Sequence, residues 1–326
     1  MTKPVLSIQN LSVDYVTDDG PVRAIDNVSL DVMPGEILGV AGESGSGKTT
    51  LAKAIMRILQ PPAVISGGRV LFEDKDLLQL DEEGLRRLRW TRMSMVFQSA
   101  MDALNPVISI GEQIVDTMKV HTDFNSSQAR DRAVHLLEMV GIPGDRIDSH
   151  AHQLSGGMRQ RVGIALALCL EPSLVILDEP TTALDVVVEK EILGEIKELQ
   201  NKLGFSVMFI THDLERMLQV SDRVAVFYAA RLAEIGPAKG LRDNPQHPYT
   251  QGLLKAFPSI APGARTPESI PGSPPSLLSP PSGCRFHPRC SQVVDACSQT
   301  RPIRTDLGPG HAAECHLLSQ ETGAAT

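Results

Sequence analysis

Gly42-Glu43-Ser44-Gly45-Ser46-Gly47-Lys48-Thr49 is the stretch that decides the fold of this chain, because of what stands on either side of it. Before it, Ile37 to Ala41 is a short, continuous apolar run of the kind that forms a buried strand. After it, a helical pattern opens at about Lys48 and stops before Pro61-Pro62. A glycine-rich turn before a helix is the bland reading. The full G-x-x-x-x-G-K-T spacing between a strand and a helix points instead to a phosphate-binding loop. Glycines let the backbone amides of Ser44, Gly45, Ser46, Gly47 and Lys48 curl around phosphate oxygens without Cβ clashes, and the helix N-terminus turns its positive dipole end toward them. Lys48 is expected to reach the β and γ phosphates, and the hydroxyl of Thr49, followed by Thr50, to meet Mg²⁺.

Working outward, apolar residues alternate at Leu6, Ile8, Leu11 and Val13 and again at Val28, Leu30 and Val32 before the Pro34-Gly35 turn, which predicts an antiparallel strand region. Val70 to Phe72 and Met93 to Phe97 read as further strands. From roughly Ile110 to Leu168 the pattern is helical, with turns at Gly141 to Gly144. The strand-helix rhythm returns at Leu174 to Leu177, a helix over about Val187 to Leu203, a strand at Ser206 to Ile210, a short helix, and strands near Val224 to Tyr228 and Leu232 to Ile235. The fold class expected is therefore α/β with a helical insertion. Beyond Gly236 the composition changes, and prolines and serines dominate Pro258 to Pro281, which is linker chemistry.

Two acids end an apolar run in Leu174-Val175-Ile176-Leu177-Asp178-Glu179. Buried carboxylates are costly unless compensated, so a metal is their natural partner. Asp178 would hold Mg²⁺ and Glu179 would polarise an attacking water as general base; capping of the next helix is the structural alternative. Between the two motifs lies Leu154-Ser155-Gly156-Gly157-Met158-Arg159-Gln160, which alone is a serine-capped helix start.

Together the three motifs resemble the ABC ATPase family over most of residues 5 to 256. The resemblance implies a P-loop NTPase core, RecA-like, with an antiparallel β subdomain and a helical signature subdomain at about 99–168, all within an ATP-binding domain at 1–240. It implies that Ser155, Gly156 and Gly157 serve in trans, against the γ-phosphate held by a second ABC ATPase subunit. Gln98 looks like the residue of the family that senses Mg²⁺ and the transmembrane partner, and His212, in Ile210-Thr211-His212-Asp213, looks like the switch histidine at the γ-phosphate. Asp185, in Ala183-Leu184-Asp185, fits the loop that crosses the dimer interface. Tyr15 is placed like the aromatic that stacks on adenine, against the plain reading of a half-buried strand tyrosine.

Gln98 to Pro106, and Asn244-Pro245-Gln246-His247-Pro248-Tyr249-Thr250, look like the dipeptide and oligopeptide importer subfamily. So does an extension at 241–326 holding Gly283-Cys284-Arg285-Phe286-His287-Pro288-Arg289-Cys290, then Cys297 and Cys315, with C-x5-C-x6-C-x17-C spacing. In that subfamily four such cysteines can hold a 4Fe-4S cluster. Soft sulfur donors suit zinc as well, with His287, His311 and His316 as substitute ligands, and unliganded thiols are a third reading. Cys169, in an apolar helical stretch, reads as a small core residue.

The chain has 326 residues and a formal charge of −8, which argues against a general affinity for nucleic acid. Its apolar runs are far shorter than the roughly 20 residues of a membrane-crossing helix, and the N-terminus lacks the apolar core of a signal peptide. The resemblance implies a peripheral subunit at the cytoplasmic face of a bacterial or archaeal membrane. Its expected partners are a paralogous ATPase forming a heterodimer, two transmembrane permease subunits and an extracytoplasmic solute-binding protein. Import of oligosaccharide or nickel is the alternative cargo. A soluble ABC ATPase is the alternative class, against which stands the absence of paired domains, a long coiled coil and a basic surface.

Overall fold

Strict alternation and continuous apolar runs build different sheets in this molecule. The computed structural model describes residues 2–98, 103–181, 184–256 and 268–321. In chain order its strands are β1 (Leu6–Thr17), β2 (Gly20–Val32), β3 (Ile37–Ala41), β4 (Ala63–Phe72), β5 (Lys75–Asp76), β6 (Met93–Val96), β7 (Leu174–Asp178), β8 (Ser206–Ile210), β9 (Arg223–Tyr228), β10 (Arg231–Pro237), β11 (Arg304–Gly308) and β12 (His311–Glu314). The chain forms two compact units. One comprises Met1–Val5, Val32–Glu36 and Gln79–Ile210; the other comprises Leu6–Asp31, Ile37–Leu78 and Thr211–Thr326.

In the second unit, the alternating segments pair as a sheet of order β2-β1-β4-β5. Leu6 lies opposite Phe72 and Ile8 opposite Val70 in an antiparallel register that puts all four on one buried face. The apolar run β3 is buried at every residue and pairs in parallel with β9, from which β10, β12 and β11 follow antiparallel. Continuous apolar sequence is what a strand covered on both faces requires. The helix Lys48–Ile55 leaves the loop after β3 and buries Leu51, Ala52, Ala54 and Ile55. The C-terminal residues belong to this same unit, with β12 paired to β10 by Glu234 opposite Ala313 and Ile235 opposite Ala312.

In the first unit, β6, β7 and β8 run parallel in that order, with Leu174 opposite both Met93 and Ser206. All three strands are buried throughout, and fully burying one Val, Ile or Met side chain contributes about 1.5–3 kcal/mol. Between β6 and β7 the chain inserts the helices Ile110–His121, Ser126–Met139 and Gly156–Leu168. Ser109 with Glu112 and Asn125 with Gln128 form reciprocal caps that start the first two. The helical insertion expected from the sequence is therefore present. The Pro34-Gly35 turn is fixed from within the unit: the Gly35 N–H donates to Ser206 Oγ at 2.9 Å, and Gln200 Nε2 donates to the Gly35 carbonyl at 2.7 Å.

Candidate active site

The loop after β3 is shaped by three glycines in the left-handed region, Gly42 at φ 148°, Gly45 at φ 76° and Gly47 at φ 104°. Two of them also have no room for a side chain. A Cβ at Gly42 would stand 2.2 Å from the Phe227 carbonyl oxygen, and one at Gly47 would stand 2.3 Å from that of Ala24. Lys48 is buried, and its Nζ donates to the carbonyls of Gly42 at 2.7 Å and Glu43 at 2.9 Å. The ammonium thus closes the loop on itself from the concave side. Ser46 Oγ is buried with no hydrogen-bond partner among the described residues, so the cradle contains a polar group fit for a ligand oxygen. Thr49 and Thr50 occupy the first turn of the helix, and the Tyr15 hydroxyl lies 3.4 Å from Thr50 Oγ1. A glycine cradle, a helix N-terminus, a buried lysine and an unsatisfied hydroxyl fit a nucleotide phosphate chain. In the same unit the Thr211 N–H lies 3.4 Å from the Val40 carbonyl, and His212 next to it is exposed. Asp213 then caps the helix Leu214–Val220 by accepting from the Arg216 N–H.

In the other unit Asp178 ends β7 with 1% of its surface exposed. Glu179 follows in the left-handed region at φ 47°, an unusual conformation for a non-glycine residue, and its N–H donates to the Ile210 carbonyl at 2.9 Å. Gln98 lies two residues past the end of β6 rather than on it, since the strand stops at Val96. Its Nε2 donates to Glu179 Oε2 at 2.8 Å, so a side-chain amide orients that carboxylate. Asp178 and Gln98 are hard oxygen donors of the type Mg²⁺ takes. Ser155 caps the helix Gly156–Leu168 by accepting from the Met158 N–H at 3.3 Å, with Gly156 and Gly157 half-buried in its first turn. Asp185 caps the helix Val186–Leu203, accepting from the Val187 and Val188 N–H groups at 3.1 and 3.0 Å. Ser99 to Asp102, Ala183 and linker residues 257–267 lie outside the described residues.

The four cysteines of the extension are half-buried at Cys284 and Cys290 and buried at Cys297 and Cys315. Among the described residues, no group of three or more His, Cys, Asp or Glu is placed to hold a metal. Burial pushes the Cys284 thiol up to about 11 and also raises Cys290 and Cys315, with neighbouring cysteines of the set adding to each shift. Cys315 packs with Ala313 and Leu318. The histidines offered as zinc ligands are engaged elsewhere: His311 Nε2 lies 2.8 Å from Glu234 Oε1, His316 Nε2 2.8 Å from the Thr300 carbonyl, and His287 Nδ1 2.9 Å from the Cys284 carbonyl. Cys169 matches its reading as core, 3% exposed and pushed up to about 12 by burial.

Sequence reasoning missed the surroundings of Glu43. Its carboxylate is held by Arg289 and its N–H by the Tyr249 hydroxyl, both far away in the chain. The available signal was an acid inside a loop meant for an anion, which calls for a nearby cation.

Among known families, the description "ABC transporter" matches residues 25–182, and "Oligopeptide/dipeptide transporter, C-terminal region" matches residues 233–297. The chain is 44% identical over 319 residues, 97% of this chain and 95% of the relative, to the dipeptide transport ATP-binding protein DppD of Bacillus subtilis. It is 39% identical to the protein of the same name from Escherichia coli, over 99% of both chains. A solved dimeric ATP-binding cassette in a post-hydrolysis state, bound to ADP and Pi, superposes with a TM-score of 0.65 at 26% identity, covering 72% of this chain and 98% of that one. The cbiO1 protein of Clostridium perfringens, part of the ABC transporter complex cbiONQ, superposes with a TM-score of 0.63 at 29% identity, covering 73% and 90%.

Proposed function

This chain belongs to the ATP-binding subunits of ABC transporters, and from that premise we propose that it binds MgATP and hydrolyses it to power the import of dipeptides or oligopeptides. The observation that carries the reading is the loop at Gly42 to Thr49, where left-handed glycines, a helix N-terminus and the buried Lys48 build a phosphate cradle. Peptide as cargo is supported by the named relatives and by the match of residues 233–297.

In this reading Ser44 to Lys48 bind the phosphates through backbone amides, Lys48 neutralises the β and γ oxygens, and Tyr15 stacks on the base. Thr49, Gln98 and Asp178 are the residues that would offer oxygens to Mg²⁺, which would supply charge neutralisation on the transferred phosphoryl group. Glu179 orients and polarises the attacking water, held in aim by Gln98, and His212 donates to the γ-phosphate. Ser155, Gly156, Gly157 and Asp185 act across a dimer interface on a partner's nucleotide, so the functional unit holds two ATPase subunits, a paralogue being the expected second. The cassette spans 1–240, with 241–326 as the importer-type extension. Two permeases and an extracytoplasmic solute-binding protein complete the machine at the cytoplasmic face of the membrane. Among the described residues no helix is long and apolar enough to cross a bilayer, which supports docking through partners.

The tail is the finer part of the proposal. A 4Fe-4S cluster on Cys284, Cys290, Cys297 and Cys315, with zinc as the alternative, is supported by donor chemistry and by the electrostatic influence the thiols have on one another. Their arrangement lacks a formed cage, so no step of hydrolysis is routed through it. Anaerobically purified protein is expected to be brown; colourless protein without iron removes the cluster.

For the main reading, Glu179→Gln in the assembled transporter is expected to accumulate a closed state carrying unhydrolysed ATP. Hydrolysis at the wild-type rate would remove Glu179 from the general-base role.

A further inference from the structure

Glu43 is the one charged residue among the variable positions of the phosphate loop, and every polar group it owns is in use. Its N–H donates to the Tyr249 hydroxyl at 3.0 Å. Its carbonyl accepts from Lys48 Nζ at 2.9 Å and from the Ser46 N–H at 3.2 Å. Its carboxylate accepts from Arg289 Nη1 at 2.8 Å and Nη2 at 3.1 Å. The side chain of Arg289 is only 7% exposed and is itself fixed on all sides. Nε donates to the Pro271 carbonyl at 2.8 Å, Nη2 to the Gly272 carbonyl at 3.4 Å, and Nη1 to the Tyr228 hydroxyl at 3.2 Å. Burial alone would lower the Arg289 pKa, but its bonds to Glu43 and Tyr228 outweigh that and hold the guanidinium charged.

We propose that Arg289 of the C-terminal extension is a positioning residue for ATP binding: it clamps Glu43, fixing the outer side of the phosphate loop and cancelling the negative charge that would otherwise face the nucleotide. The inference rests on the ATP-binding reading above and deepens it. Two parallel N–H bonds to one carboxylate set both its position and its plane, which a single contact does not. A carboxylate in the loop without its cation would repel the triphosphate, and at partial burial that repulsion is weakly screened. A second bond series runs from the tail to the same loop. Arg285 donates to the Ala229 carbonyl and to Asp26 Oδ2 at 2.8 Å, and the next residue, Ala230, donates its N–H to the Ser46 carbonyl at 3.0 Å. Tyr228, Tyr249 and Phe286 pack between these two holds, with ring centroids 4.5 to 5.3 Å apart. The extension is thereby part of the nucleotide site's support, and the loop depends on residues some 240 positions later in the chain.

The test measures MgATP affinity of the full-length chain by titration, alongside thermal melting without nucleotide. Arg289→Ala is expected to weaken MgATP about tenfold or more. Arg289→Lys, which keeps the charge but not the fork, recovers part of the loss. Adding Glu43→Gln to Arg289→Ala recovers most of it, because the uncompensated carboxylate is gone. A purely structural arginine would lower the melting temperature and leave the affinity of the folded protein for MgATP unchanged. Wild-type affinity in Arg289→Ala overturns the proposal, and so does a double variant as weak as the single one. A wild-type chain that fails to bind MgATP overturns the underlying reading together with this one, a result distinct from normal wild-type binding with an unaffected Arg289→Ala.

Discussion

Glu43 and Glu179 are the same residue type in similar places, each within two residues of the end of a fully buried parallel strand, and each lies in its own unit of the molecule. They are held by opposite kinds of partner. Glu43 is gripped by a buried guanidinium that takes up its charge, whereas Glu179 accepts from the neutral amide of Gln98. A carboxylate tied to arginine is a structural anchor, because moving it breaks a charge-assisted pair. One aimed by an amide is held in a set direction, and Glu179 also carries a left-handed backbone, a conformation that costs free energy in a non-glycine residue. The lesson is that the partner, more than the residue type or its place after a strand, assigns the role.

The sharpest way to break this comparison is the same substitution at both positions. Glu179→Gln is expected to lower turnover by about 10²–10⁴-fold with ATP affinity kept, as removal of a general base does. Glu43→Gln is expected to cost turnover at least about tenfold less than that. Equal losses in a steady-state assay of the assembled transporter would erase the distinction drawn here.

The next largest effect concerns the scaffold behind Glu43. His247 stands two residues before Tyr249, its Nδ1 accepts from the Tyr249 N–H at 3.0 Å, and burial lowers its pKa to about 4, against a smaller opposing pull from Glu234. The folded state therefore prefers the neutral ring, and the unfolded chain binds the extra proton between about pH 6.5 and 4. Stability from this group is present above about pH 6.5 and lost as pH falls toward 4, a change of about 3 kcal/mol. Melting curves over that range should be steeper for the wild type than for His247→Asn, and equal slopes would remove His247 as the source.

On the Glu179 side, Gln98→Ala withdraws the amide that aims the carboxylate and should lower kcat about tenfold with KM for ATP changed less. A change confined to KM would mean that Gln98 serves binding and not aim. The smallest effect is expected at Ser155. Loss of its cap destabilises the helix Gly156–Leu168 by about 1 kcal/mol, read as a small shift in melting, while turnover falls further because the hydroxyl is proposed to act across the dimer. A melting shift with turnover intact would leave Ser155 as a cap alone.

Much of the Glu179 side was legible in the sequence, since periodicity and spacing report local structure. The apolar run into Asp178-Glu179 and the capped start at Ser155 each describe their own backbone within a few residues, as does the glycine spacing after β3 in the other unit. Gln98 was expected at a strand end, but nothing local says that its amide meets Glu179, 81 residues away. The Glu43 side was less legible for the same reason. Its clamp joins residues 246 apart, and no periodic pattern records charge complementarity at that distance. The stretch Asn244 to Thr250 was marked by resemblance, yet its use, the Tyr249 hydroxyl at the Glu43 N–H, is a tertiary fact. The cysteines were legible only as a set of soft donors: their crowding in sequence suggests a cage, while among the described residues no group of three or more metal ligands is assembled.

The loop at Gly42 to Thr49, with the buried Lys48 at its centre, is the proposed site for MgATP. Titration of the full-length protein with MgATP, comparing wild type with Lys48→Ala, tests it most directly. Saturable binding by the wild type is expected, with affinity weakened about a hundredfold or more in the variant if Lys48 neutralises the β and γ oxygens. Equal affinity in the two proteins would contradict it.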